Sequence, residues 1–374
     1  MERFDIAILG GGLAGLTAAI HLARQSYRVV LFEKHAYPHH KVCGEYVSNE
    51  VLAYLNHLGV DVQAEGAVAI ERLQLSTPGG KGLEVDLPLG GFGISRYHFD
   101  HLLYQRAIAL GVTVRFETVN RVDFEAESFT IGSTGGLEIQ ASLALGAFGK
   151  RSLLDKKLDR DFLRVKSPWL GVKCHYEHPD FPEDLVALHS FKGGYGGLSK
   201  TETGQVNFCY LATYASFQRF GDHQRFEKEH LRKQPHLKRF FEAATPVFES
   251  PLSIAQISFA PKKPVEGHLL MVGDSAGLIH PLCGNGMAMA IHSAKLAAEC
   301  CTGFLEGITD RTTMEKDYTQ LWQQHFSRRL RMGRGLQRLL LHPFSAHLAL
   351  HSVARSKKFV QTMIRQTHGS PILV

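Results

Sequence analysis

Residues 10–15, Gly-Gly-Gly-Leu-Ala-Gly, constrain this chain more than any other stretch. They follow an apolar run, Phe4 and Ile6 to Leu9, that reads as a short buried strand. Leu16, Ile20 and Ala23 then recur at helical spacing, and a second apolar strand over 28–32 ends at Glu33. Glycine at 10 permits a sharp turn, glycine at 12 lets a phosphate approach the backbone, and glycine at 15 lets helix and strand pack closely. Ala14 sits with them in the first helical turn, whose unpaired amides and partial positive charge suit a pyrophosphate. Glu33 stands about 20 residues beyond the glycines, the spacing of a carboxylate that bonds ribose hydroxyls. A glycine-rich turn alone also occurs without a ligand. Here strand, turn, helix, strand and acid fall in order, so the reading is a dinucleotide-binding unit.

A chain of 374 residues with 44% hydrophobic and 21% charged residues has room for two domains, or for one large domain carrying an insertion. No apolar run approaches the roughly 20 residues of a membrane helix. The first strand begins almost at Met1, which leaves no space for a signal peptide, so a cytoplasmic location is expected. Six cysteines, at 43, 174, 209, 283, 300 and 301, show no Cys-x-x-Cys spacing, so neither a zinc knuckle nor a disulfide framework is expected, and no metal. The net charge of +6 is uneven: nine of the 42 basic residues and none of the 36 acidic ones lie beyond residue 317.

Farther along, residues 35–50 are too polar and broken for a strand. A helix is expected over 50–58, strands within 70–87, and a break at Gly90-Gly91-Phe92-Gly93. Arg96 precedes a helix over 102–110, and 112–144 reads as a strand and a small meander. From 166 to 261 aromatic-rich strands predict a mostly antiparallel sheet, with Gly193-Gly194-Tyr195-Gly196-Gly197 among them. An apolar strand over 268–272 then runs into Gly273-Asp274, and a helix starts near Gly286 and Met287. The expected division is a discontinuous cofactor domain (1–75, 94–165 and 262–310), a substrate domain (76–93 and 166–261) and a basic helical region (311–374).

The glycine turn, the Arg96 helix and the Gly273-Asp274 segment together resemble FAD-dependent oxidoreductases of the para-hydroxybenzoate hydroxylase fold. Cys43-Gly44-Glu45 and the 193–197 glycines look more specifically like the geranylgeranyl reductase branch. The resemblance covers about residues 1–300 and implies a Rossmann-like α/β FAD-binding domain with an inserted mostly antiparallel β-sheet and C-terminal helices. It implies that Gly10, Gly12, Ala14, Gly15, Glu33, Gly44, Arg96, Val119, Asp274, Gly286 and Met287 line the FAD. Arg96 would meet the phosphates and Val119 the adenine. Asp274 can accept from ribityl or ribose hydroxyls, and the helix opening at 286 can point its amides at the electron-rich edge of the ring.

Cys43 would lie near the ring system, as a cofactor contact or a proton donor, although an inert thiol fits its residue type equally well. Were Cys283 to reach the same place, the two would form a redox pair. Tyr195, flanked by glycines, suits a substrate contact as well as it suits a plain hairpin turn. The chain departs from the hydroxylases where they carry Asp-Gly after the meander: Gly146-Ala147-Phe148-Gly149 stands there, and phenylalanine accepts no hydrogen bond. This weighs against NAD(P)H as direct reductant and toward an electron-carrier protein or a substrate that reduces the flavin. Neither Trp169 nor Trp322 lies in the Trp-x-Trp-x-Ile-Pro string of related halogenases.

The expected reaction is double-bond reduction or dehydrogenation of a hydrophobic substrate: isoprenoid, polyene, aromatic or carrier-bound. Hydroxylation by a flavin monooxygenase and a non-catalytic FAD-binding partner are the alternatives. Chemistry is expected between the Cys43, Tyr195 and 281–286 loops. In the basic region, Trp322, Phe326, Leu330, Leu336 and Leu340 recur at helical spacing beside Arg328, Arg329, Arg331, Arg334 and Arg338. A second helix over 344–364 carries Arg355, Lys357 and Lys358, with Arg365 just beyond it. Packed helices with solvated charges are one reading. The other is a docking face for an acyl carrier protein, a prenyl diphosphate or a membrane surface, which would make the protein peripheral there; no nucleic-acid motif is present.

Overall fold

Ile6, Ala7 and Ile8 are fully buried, so Glu2–Leu9 can only be an interior strand. It pairs in parallel with Val29–Phe32 on one side and Glu138–Gly146 on the other. The parallel strands Thr113–Arg115 and Leu269–Met271 extend this sheet outward. The register sets Leu9 against both Phe32 and Gly146, and Met271 against Gly146. Gly10, Glu33, Ala147 and Gly273 therefore leave the sheet at one edge, where open α/β sheets place their ligands. Helix Leu13–Arg24 packs on Gly286–Leu305 and Arg96–Ala109. The meander is observed as Val119–Glu125, Ser128–Ser133 and Glu138–Gly146. This computed structural model describes residues 1–280, 284–341, 360–362, 364, 366 and 368–374.

A second, mostly antiparallel sheet runs Thr245–Pro246, Trp169–Glu177, Val206–Thr213, Gly194–Lys200, Leu185–Phe191, Val68–Ser76, Gly82–Gly93, Tyr46–Ser48. Phe226, Phe240 and Phe241, from two short helices, cover one face by packing on Val172, Cys174, Tyr176, Phe208 and Tyr210. Side chains alternate along a strand, so Trp169, Lys173, His175, Tyr195, Asn207 and Leu211 occupy the opposite face. The strands Val68–Ser76 and Tyr46–Ser48, grouped by sequence with the first domain, are hydrogen-bonded into this second sheet.

Two glycine clusters differ from expectation. Gly90 to Gly93 do not break the chain but end the strand Gly82–Gly93. A Cβ at Gly91 would meet the Tyr46 ring at 2.3 Å, and one at Gly93 the Lys200 carbonyl at 2.0 Å. Tyr195 likewise lies inside the strand Gly194–Lys200, opposite Ser190 and Leu211, and not in a loop. Of its glycines only Gly193 has a positive φ, +87°, whereas a Cβ at Gly194 would strike the Leu211 carbonyl at 2.1 Å. Both clusters serve close packing of neighbouring backbones. The helix expected over 102–110 begins earlier, at Arg96, because the Ser95 hydroxyl accepts from the His98 amide and caps it.

The helix Arg311–Leu341 buries Trp322 and Phe326 in the main core. Arg329 is buried too and pairs with Glu50, so it is not part of a docking face; Arg328 and Arg331 are exposed. Cys283, residues 344–359 of the helix expected over 344–364 with Arg355, Lys357 and Lys358, Arg365, and the side chains of Leu336, Arg338 and Leu340 lie outside the described residues.

Candidate functional site

The glycine turn meets Glu33 at the edge where the strands end. Gly10 adopts φ +118°, and a Cβ on Gly15 would stand 1.9 Å from the Gly10 carbonyl oxygen, so the first and third motif glycines hold helix against strand. The Gly11 amide donates to Glu33 Oε2 at 2.9 Å, and the His35 amide donates to Oε1 at 3.2 Å. A Cβ on Gly12 would meet nothing closer than an Arg96 guanidinium nitrogen at 3.7 Å. Gly12 is the open member of the motif, and Arg96 borders the space it leaves.

Arg96 donates twice to Asp100, at 2.7 Å each, and Lys41 Nζ approaches the same carboxylate at 2.8 Å. Burial alone would raise the Asp100 pKa, but Arg96 and Lys41 hold it below the usual carboxylate range. Two cations share one anion, which leaves positive charge beside Gly12.

The residue after Cys43 and Gly44 is an anchor. Glu45 is fully buried with φ +56° and accepts from the Arg96 amide at 2.6 Å, from Lys173 Nζ and from His175 Nε2, the last at 2.7 Å. Burial favours its protonation, and Lys173 and His175 overcome this and keep its pKa low. A Cβ at Gly44 would touch nothing within 4 Å, so the turn borders open space there.

The Gly273-Asp274 segment returns to the first motif: a Cβ on Gly273 would lie 3.0 Å from Ala14 Cβ. Lys262 Nζ donates to the Asp274 carbonyl at 2.7 Å and the Lys150 carbonyl at 3.1 Å, and burial pulls its pKa down to about 8. The following helix opens at Gly286 and Met287. Like Leu13–Arg24, it has no side chain capping its N-terminus and no acid in its first turn. Val119 opens its strand buried in the main core.

Farther along the same segment, the ring of His280 stands within 6.0 Å, centroid to centroid, of Trp169, Tyr195 and Phe259. Burial pushes the His280 pKa down to about 3, so a neutral imidazole sits among three aromatic rings. The structure thus links Glu33 to the glycine turn through Gly11, Arg96 to Gly12 and, through Glu45, to the Cys43–Gly44 turn, and sets Gly273 beside Ala14; Tyr195 lies on the face of the second sheet opposite the one that Phe226, Phe240 and Phe241 cover. Sequence reasoning missed Asp100, Lys41, Lys173, His175 and His280. Asp100 was legible as the residue one helical turn beyond Arg96, and Lys173 with His175 as a polar pair on alternate positions of an apolar strand.

These features fit FAD. Gly12 and Gly44 leave room where a Cβ would stand, the helices Leu13–Arg24 and Gly286–Leu305 open with no side-chain cap and no acid in the first turn, and Arg96 with Lys41 supplies charge for phosphates. The model of the FAD binding domain family matches residues 3–319. The chain belongs to this FAD-binding family. It is a flavin-dependent oxidoreductase with a Rossmann-type domain and a mixed second sheet. A relative from Methanopyrus kandleri named digeranylgeranylglycerophospholipid reductase 2 is 26% identical over 87% of this chain and 84% of its own length. A menaquinone reductase of Mycolicibacterium smegmatis is 25% identical over 91% and 85%. Among solved structures, a geranylgeranyl bacteriochlorophyll reductase-like protein from Thermoplasma acidophilum superposes with a TM-score of 0.78 at 20% identity, covering 100% of this chain and 94% of the other. Among the described residues no helix is long and apolar enough to cross a membrane.

Proposed function

We propose that this FAD enzyme adds or removes hydrogen at carbon–carbon double bonds of a long apolar substrate, of the isoprenoid or polyene class. The observation that carries this is the apolar packing on the second sheet's face opposite the one that Phe226, Phe240 and Phe241 cover. Trp169, Tyr195 and Leu211 of that face form one apolar cluster with Phe259 and Leu278 from segments outside the sheet, Tyr46, Leu73, Val85 and Leu87 form another with Val360 and Ile364, and Leu188 packs against both. A continuous apolar wall suits a flexible hydrocarbon chain better than a small polar ring. The relatives named above, a digeranylgeranylglycerophospholipid reductase and a menaquinone reductase, support the same class.

Bound FAD supplies the redox step, and the chain's residues bind, orient and exclude water. Arg96 and Lys41 would hold the phosphates, Glu33 the ribose, and Asp274 the hydroxyls between. Trp169, Tyr195 and Phe259 would orient the substrate, and the half-buried Cys43 thiol would give or take a proton beside the reacting carbon. Phe148 sits against the Gly10 turn, its Cα 2.9 Å from where a Gly10 Cβ would stand, and offers no acceptor there for a nicotinamide. The reading therefore takes electrons from a carrier protein or from the substrate. Exposed Arg328 and Arg331 support an anionic partner, an acyl carrier protein or a membrane surface holding the substrate.

The test is reoxidation of dithionite-reduced, FAD-loaded protein under nitrogen. A polyisoprenoid alkene should restore the oxidised flavin absorbance, or a saturated analogue should bleach the oxidised form. If only oxygen restores it, and an aromatic substrate gains an oxygen atom, the monooxygenase reading replaces this one.

A further inference from the structure

Cys43-Gly44-Glu45 stood out as a motif, yet the proposed chemistry uses only its first two residues. The surroundings of the turn show what the third does. Four consecutive carbonyls, of residues 41–44, each accept a hydrogen bond from a side chain on a distant element. Lys173 Nζ donates to the Lys41 carbonyl at 3.3 Å, and Lys150 Nζ to that of Val42 at 3.2 Å. Asn207 Nδ2 donates to the Cys43 carbonyl at 3.1 Å, and Ser199 Oγ to that of Gly44 at 3.3 Å. Three of these donors stand on adjacent strands of the second sheet, on the face turned toward the cofactor domain. Glu45 then closes the turn from its far end, bonded to Lys173 and His175 of the same sheet and to the Arg96 amide of the cofactor domain.

Ordinary turns leave such carbonyls to water. Holding each with a separate donor fixes the turn against both sheets at once. Lys173 is the hub: its ammonium group, fully buried, serves the carbonyl at the start of the turn and the carboxylate at its end. We propose that Glu45 and Lys173 are positioning residues that hold the Cys43–Gly44 backbone and the Cys43 thiol in one place at the flavin. The inference rests on the reading that this turn lies at the flavin. It concerns an ion pair whose bonds run to the turn and to the second sheet, and which would act through the turn.

The test compares the wild-type chain with Lys173→Met and with Glu45→Gln/Lys173→Met. The double variant removes both charges, so a buried carboxylate is not left alone and the fold is preserved. Three quantities are read: the alkylation rate of Cys43, followed by peptide mass mapping in the FAD-free protein, its protection by added FAD, and the midpoint potential of the bound flavin. In the wild type, FAD should slow Cys43 alkylation. In the folded double variant, FAD-free alkylation should rise and FAD affinity should fall, each by about tenfold, equivalent to about 1.4 kcal/mol, and the flavin potential should shift. A purely structural pair would lower the melting temperature and leave the potential and the alkylation rate unchanged, which would overturn the positioning role. A wild type in which FAD gives Cys43 no protection would instead remove the turn from the flavin, and the proposal with it.

Discussion

Arg96 and Asp100, one helical turn apart, meet through two hydrogen bonds of 2.7 Å, and Lys41 closes on the same carboxylate at 2.8 Å. Asp100 is fully buried, so it neutralises part of the charge that the phosphates of FAD would meet. Asp100→Asn leaves two cations around a neutral group. The FAD-free variant should lose about 3 kcal/mol of stability, the cost typical of breaking a buried pair. Phosphates should then repair the imbalance, so added FAD should raise the melting temperature of the variant by more than it raises that of the wild type. An equal or smaller rise would place the phosphates elsewhere. Thermal unfolding with and without FAD reads both numbers.

The motif glycines should separate into structural and ligand-facing members. Gly15→Ala forces a Cβ to 1.9 Å from a backbone oxygen and should yield little folded protein. Gly12→Ala meets only Arg96 at 3.7 Å, so the fold should survive with less than about 1 kcal/mol of change while FAD affinity drops at least about tenfold. Circular dichroism and flavin fluorescence quenching check the two effects separately.

Acid should erode stability in two stages. Burial lowers the pKa values of His189 and His280 to about 3, below the roughly 6.5 of an exposed histidine. Their contribution is complete above that unfolded value and is lost as pH falls from there toward 3, because the unfolded chain takes up protons first. Asp100 and Glu45 are depressed by their cationic partners, so their contribution is lost only once pH drops below the ordinary carboxylate value of about 4. Glu50, raised by burial, runs the other way and offsets part of the loss. The melting temperature should decline from about pH 6.5 and fall more steeply below about 4. In His189→Phe the upper stage should shrink; an unchanged profile would mean that this ring titrates normally.

Much of the cofactor domain was legible in the sequence, because its signals are local. The glycine turn lies between a strand and a helix, Glu33 stands directly after a strand, and the Gly273-Asp274 segment follows the last strand of the sheet, and the backbone at such junctions dictates residue type. The second sheet was legible as strands but not in its glycines. Gly91, Gly93 and Gly194 are glycines because Tyr46, Lys200 and Leu211 press on them from other strands, and only the folded chain supplies those neighbours. The same holds for the site. Lys173 and Glu45 are 128 residues apart in sequence, and nothing local at either position announces their pairing. Trp322 and Phe326 kept their helical spacing and proved to be core, while Arg329 between them and the basic face turned inward to Glu50.

Phe148 bears on how the flavin is reduced. NADPH mixed with FAD-loaded protein in stopped flow should leave the flavin oxidised over the time of a turnover, whereas a reduced carrier protein should bleach it. Rapid reduction by NADPH would show that no acceptor at residue 148 is required.

The most direct measurement is the mass of an apolar polyisoprenoid incubated under nitrogen with pre-reduced, FAD-loaded protein. Saturation of a double bond, seen as the gain of a hydrogen pair per event and absent without FAD, is the predicted result. An unchanged alkene under nitrogen, together with a product in air that carries one added oxygen atom, would contradict it.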